Sequence, residues 1–151
     1  MFDKYFKENS CEVNWEYIET IPEFQRLKTC EQNPVWHSEG TAWEHTVACV
    51  ECACEAVKGK NYTDGLYIER LFILTVLFHD IGKGVTTTFS KNAWHAYGHV
   101  IEGARIARRI LWDEGFEERE NICDAIKHHM DVLNVFKHKD ALNSIIKLTN
   151  V

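Results

Sequence analysis

The sequence predicts an all-α fold, on three observations. Apolar residues recur at helical spacing over 41–58 and 98–114. The stretch from Leu71 to Phe78 is apolar for about two turns, the length of a buried helical segment. No convincing period-2 strand and no Asn-Gly hairpin interrupts the pattern.

Taken in order, residues 12–31 read as helical, with Pro22 in the first turn of a second short helix, so that residues 1–33 form a helical N-terminal extension. Glu31 to Gly40 has loop chemistry around Asn33-Pro34 and Gly40. Thr41 is an N-cap, and Glu44 three residues on completes a capping box. The helix it starts runs to about residue 58, and the spacing of His45, Cys49, Cys52 and Ala56 places His45 on the core-facing stripe. Residues 59–65 read as a loop, with Asp64 capping the next helix. That helix, apolar on every side and therefore central, ends abruptly in His79-Asp80-Ile81-Gly82-Lys83. A polar and aromatic loop, TTTFSKNAWHAYG, is placed to cover a site. Helices over about 98–114 (stopped by Gly115), 117–129 and 140–150 complete the chain.

The 151 residues, 45% hydrophobic and 26% charged, fit one compact domain with its own core. A formal charge of −6 with the two signs mixed argues against nucleic-acid binding, which needs a basic face, but leaves room for a small phosphorylated substrate held by local cations. The N-terminus MFDKYFKENS lacks the apolar core of an export signal, and no apolar run approaches the roughly 20 residues that span a bilayer. The six cysteines then read as reduced thiols of a cytoplasmic protein.

An imidazole and a carboxylate at the inner end of a buried helix are costly unless compensated. A divalent metal is the simplest compensation for His79 and Asp80, with His45 supplied from the preceding helix. Alone, the His-Asp dipeptide reads equally as a hydrogen-bonded pair or a helix terminus. Lys83 is a candidate phosphate contact, or an ordinary cation at a helix C-terminus. Arg105 is a candidate substrate contact, whereas Arg108 and Arg109 are expected in water. Glu102 and Asp124 are candidates to orient a ligand imidazole. Cys49, Cys52 and Cys54 read as small buried hydrophobes. Trp94 and Tyr97, beside His95, stack on a base or simply pack, and His129 is expected to face solvent or a partner.

The ordered set His45, then His79-Asp80-Ile81-Gly82-Lys83, then Gly98-His99 with Glu102 and Gly103-Ala104, then His128-His129 resembles the HD-domain metal-dependent phosphohydrolase superfamily. PVWHSEGTAWEHT is similar to the start, and HDIGKGVTTT and AYGHVIEGA to the middle, of the HD domain attached to bacterial tRNA nucleotidyltransferases and poly(A) polymerases. The resemblance covers residues 34–148, which makes 34–151 the HD core. It implies His45, His79 and Asp80 as metal ligands. In two-metal members of the superfamily Asp80 would bridge the ions and His99 and His128 would hold the second. The implied cofactor is a divalent transition metal (Mn, Fe, Co, Ni or Zn), as one or two ions. The implied activity is hydrolysis of a phosphomonoester or phosphodiester, foremost of a nucleotide, with Asp80 and Lys83 catalytic and Lys83 and Arg105 on the substrate. The family's final aspartate has no clear counterpart: Asp131 and Asp140 come too early and Asn150 is an amide. A core truncated at its C-terminus, or continued in a further domain, would account for that. A non-catalytic HD-like module of a larger nucleotide- or RNA-processing protein and a di-iron oxygenase are the rival readings.

Overall fold

The structure, a computed structural model, describes residues 2–59 and 65–131. The expected Asp64 cap and the helix expected over 140–150, with Asp140 and Asn150, lie outside the described residues. The chain runs α1 (Trp15–Ile18), α2 (Pro22–Leu27), α3 (Ala42–Val57), α4 (Gly65–Phe78), α5 (Lys83–Thr86), β1 (Thr88–Ser90), β2 (Ala93–His95), α6 (His99–Asp113) and α7 (Arg119–His128). The fold is mostly helical with one small hairpin, and α6 packs along α7 as α3 does along α4.

The helical segment expected over 12–31 is two short helices, the second starting at Pro22 as expected, and together they are shorter than that range. Val13 forms an antiparallel bridge with Phe6, and α1 ends at Ile18. Pro22 sits in the first turn of α2, and the residue before it, Ile21, takes the extended conformation that a following proline imposes. This segment seals one end of α4, where the Phe24 and Tyr5 rings lie 5.1 and 6.0 Å from the ring of Phe78. Phe78, fully buried, thereby fixes the residue immediately before His79.

Thr41 and Glu44 form both halves of the capping box, and α3 follows to Val57. Its buried stripe is Ala42, Thr46, Val50, Ala53 and Val57, not the stripe through Cys52 and Ala56, which are exposed. His45 lies at the edge of that stripe, half-buried. The α4 helix is also not enclosed on every side. Ile73, Leu74, Leu77 and Phe78 are buried, whereas Tyr67, Ile68 and Phe72 reach solvent.

The expected loop after Lys83 contains a two-stranded hairpin, with Thr88 opposite His95 and Ser90 opposite Ala93. Its two-residue turn is Lys91-Asn92, and both residues carry positive φ (49° and 58°), as a type I′ loop demands. Asn at the second position lowers the cost of that conformation, but the usual Gly is absent. Among the described residues no helix is long and apolar enough to cross a membrane.

Two glycines set the closest approach in the fold. A Cβ on Gly82 would stand 2.0 Å from the His99 carbonyl oxygen and 2.5 Å from the Gly103 amide nitrogen, so only glycine lets α6 cross the turn after Asp80 this closely. Gly82→Ala is therefore expected to destabilise the protein by about 1–3 kcal/mol or more through overpacking, read as a lower urea midpoint. Wild-type stability in this variant would mean that the crossing is not made.

Candidate metal centre

Asp80 is the centre of a constellation drawn from four elements. It lies just past the end of α4, its side chain is buried to 2% exposure, and four imidazoles surround it. His45 Nε2 (from α3) and His79 Nε2 lie 3.5 and 3.1 Å from Asp80 Oδ2. His99 Nε2 (first residue of α6) and His129 Nε2 (just after α7) lie 3.3 and 3.6 Å from Oδ1.

The far nitrogens explain why the rings point this way. Nδ1–H of His79 donates to the Val76 carbonyl at 2.6 Å, that of His99 to Ala96 at 2.8 Å, and that of His129 to Ile126 at 2.7 Å. A carbonyl only accepts, so each of these Nδ1 atoms carries a proton, and a ring that holds no second proton has Nε2 free to ligate. His45 Nδ1 is bonded to Glu39, which also meets His37 Nδ1 at 3.0 Å. The Glu39 carboxyl sits at about 2: slight burial raises it, but its own backbone N–H and the two imidazoles outweigh that. A carboxylate behind a ligand imidazole fixes its tautomer and raises its basicity.

His99 Nε2, the ring nitrogen away from that bond, thus faces a carboxylate oxygen. Asp80 Oδ1 and His99 Nε2 are both buried, and both lack a hydrogen-bond partner among the described residues. Two acceptors facing each other across 3.3 Å repel unless an electrophile lies between them. His129 adds a third donor atom to the same oxygen. Burial lowers the pKa of His45 and of His129, which keeps both rings in the neutral, ligating form. Burial also lowers that of His79, but the bond and charge of Asp80 raise it further. Burial would protonate Asp80, yet the bond from His79 and the charges of His79 and Lys83 hold it well below the usual carboxylate range.

The residues fit a divalent ion. Asp80, His99 and His129 offer ligand atoms within 4.8 Å of one another, as do His45, Cys49 and His79. Asp80 lies between the two groups, with one oxygen toward each. Lys83 Nζ, buried, sits 2.7 Å from Asp80 Oδ2 and 2.7 Å from Gln32 Oε1, and lines a cleft of ≈730 Å³ with His37, Trp36, Trp94 and Tyr97.

The structure therefore brings together His45, His79, Asp80, His99 and Lys83, but not His128 or Arg105. His128 is exposed and bonded to Asp131 at 2.7 Å, and its neighbour His129 occupies the inner position. The helical period decides this: Ile122, Cys123 and Ile126 are the buried face of α7, so 128 falls outward and 129, three residues from Ile126, falls inward. Arg105 is exposed and paired with Glu102 at 2.8 Å, outside the cleft lining. Neither Glu102 nor Asp124 orients an imidazole, since Asp124 pairs with Lys127 at 2.9 Å. Backbone carbonyls and Glu39 do that instead. The residues missed from sequence are Glu39, Gln32 and His37, all on the 31–40 loop. The one available signal was a carboxylate and an imidazole in a loop leading straight to His45.

The model of the HD domain family matches residues 43–147. The bifunctional uridylyltransferase/uridylyl-removing enzyme of Cereibacter sphaeroides is 29% identical over 132 residues, 80% of this chain and 13% of that protein. The CC-adding tRNA nucleotidyltransferase of Thermus thermophilus is 30% identical over 125 residues, 75% of this chain and 25% of that protein. The chain thus spans a quarter or less of these relatives. No solved structure gives a significant match.

Two substitutions separate the histidine assignments. His129→Ala is expected to lower bound divalent metal, measured by elemental analysis, and His128→Ala to leave it unchanged. Glu39→Gln, with the fold retained by circular dichroism, is expected to weaken metal affinity about 10- to 100-fold.

Proposed function

The chain belongs to the HD domain family, and we propose that it is a metal-dependent phosphohydrolase that cleaves a phosphomonoester or phosphodiester of a small substrate, foremost a nucleotide. The single observation carrying this is the set of imidazole Nε2 atoms turned on the buried Asp80 carboxylate at the floor of a cleft. His45, His79, Asp80, His99 and His129 hold one or two divalent ions in this reading. Such an ion supplies a Lewis acid for a phosphoryl oxygen and makes a water acidic enough to attack near neutrality.

The chain's own groups do the rest. Asp80 stays ionised in a buried setting because His79 and Lys83 flank one of its oxygens. The Lys83 ammonium, fixed between Asp80 and Gln32, stands where negative charge gathers on the phosphoryl group. At the rim, Trp36 and Tyr97 are 72% and 78% exposed, and Tyr97 stacks on His95 at 5.1 Å and 8°. Flat aromatic faces opposite a buried cation suit a ligand with a phosphate at one end and a base at the other. The name of one relative includes removal of a uridylyl group, which is consistent with a nucleotidyl phosphodiester.

The test is metal analysis together with hydrolysis of mono- and dinucleotide substrates under added Mn²⁺, Fe²⁺, Co²⁺ or Ni²⁺. Wild-type protein is expected to retain metal and hydrolyse, and Asp80→Ala to lose both. Lys83→Met is expected to keep the metal and lose about 10²- to 10³-fold in kcat, the scale of one transition-state charge contact. Absent metal and absent hydrolysis in the wild type would instead favour a non-catalytic module of a larger protein. Dioxygen consumption without hydrolysis would favour an oxygenase.

A further inference from the structure

Cys49 is one helical turn beyond His45 on α3, and its thiol comes to the metal centre rather than to the core. Sγ lies 3.5 Å from Nε2 and 4.0 Å from Nδ1 of His45. His45, Cys49 and His79 present ligand atoms within 4.8 Å of one another. The same group faces Asp80 Oδ2, 3.5 Å from His45 Nε2. The other oxygen of this carboxylate, 2% exposed, is one of the atoms left without a partner at the centre. The Oδ1 side has the imidazoles of His99 and His129; the Oδ2 side has His45, His79 and the Lys83 ammonium, with this thiol beside the His45 ring.

We propose that Cys49 is a thiolate ligand of an ion shared with His45 and His79, so that this position takes a borderline or soft divalent ion such as zinc, cobalt or ferrous iron in preference to magnesium or calcium. The inference rests on the metal-centre reading above. Tetrahedral zinc, with Zn–N of about 2.0–2.1 Å and Zn–S of about 2.3 Å, sets an N···S edge of about 3.6 Å. The 3.5 Å separation already matches that edge. Of the two ring nitrogens, sulfur lies nearer Nε2, the one that faces Asp80. A thiolate selects for zinc-like ions because hard cations prefer oxygen. Two α3 donors joined by His79 from the end of α4 also remove the objection that a single regular helix rarely builds such a site.

The experiment loads metal-free protein with Co²⁺ alone and reads its near-ultraviolet absorption. Expected is a thiolate-to-cobalt charge-transfer band that Cys49→Ser abolishes and Cys54→Ser keeps, since Cys54 is bonded to the Cys11 carbonyl and not to the centre. Stoichiometric Co²⁺ with no band, or a band that survives Cys49→Ser, overturns the Cys49 assignment and leaves the metal centre standing. Failure of the wild type to retain Co²⁺ or Zn²⁺ at all overturns both. Should Cys49→Ser not fold, zinc-edge X-ray absorption of the unmutated protein decides: a sulfur neighbour at about 2.3 Å supports the assignment and a shell of nitrogen and oxygen alone overturns it.

Discussion

A carboxylate kept charged in a buried place is the constraint on which the rest of this structure depends. Removing such a group from water carries a penalty of several kcal/mol unless other charges and hydrogen bonds offset it. For Asp80 the offset comes from His79 beside it and Lys83 three residues on, while the other groups that face the carboxylate come from parts of the chain far apart in sequence: His45 on α3, His99 on α6 and His129 beyond α7. The architecture follows from the need to bring them to one point. The N-terminal aromatics immobilise Phe78 beside the His-Asp pair, and the Gly82–Gly103 approach brings the start of α6 within reach of Oδ1. Packing here is not separable from electrostatics, because each packed element delivers one polar atom.

The 31–40 loop is as much a part of the centre as the helices. It carries Gln32 to Lys83, His37 beside Lys83, and Glu39 to His45. Glu39 and Asp80 thus lie at opposite nitrogens of one imidazole, Glu39 at Nδ1 and Asp80 facing Nε2 at 3.5 Å. An irregular segment thereby takes its place beside the candidate centre through Glu39 and Gln32.

Much of this was legible in the sequence where the signal was local. The Thr41–Glu44 capping box, the helix opening at Gly98-His99 and the His79-Asp80 pair each depend on neighbours three or four residues away, and each lies where the pattern put it. The signals that failed were those decided by phase or by tertiary contact. His128 and His129 are adjacent and chemically identical, so only the buried face of α7 distinguishes them. The stripe through His45 was off by a fraction of a turn, because cysteine and alanine report weakly on which face is apolar. The hairpin escaped notice because Lys91-Asn92 forms its turn without glycine. Glu39 and His37 act across a loop whose path no periodicity describes.

The backbone carbonyls that receive the Nδ1 protons have a further consequence. Val76 and Ile126 lie in the last turns of α4 and α7, where carbonyls run short of partners in the helical ladder, and the Val76 carbonyl takes the His79 amide at 3.4 Å as well as the ring. His79 and His129 therefore serve as caps for the helices that carry them, and the bond that finishes each helix also chooses which ring nitrogen is free. Fraying of a helix end and loss of ligand readiness are thus one event. Opening of these two termini, followed amide by amide through hydrogen exchange, would track the centre's assembly even with no ion bound.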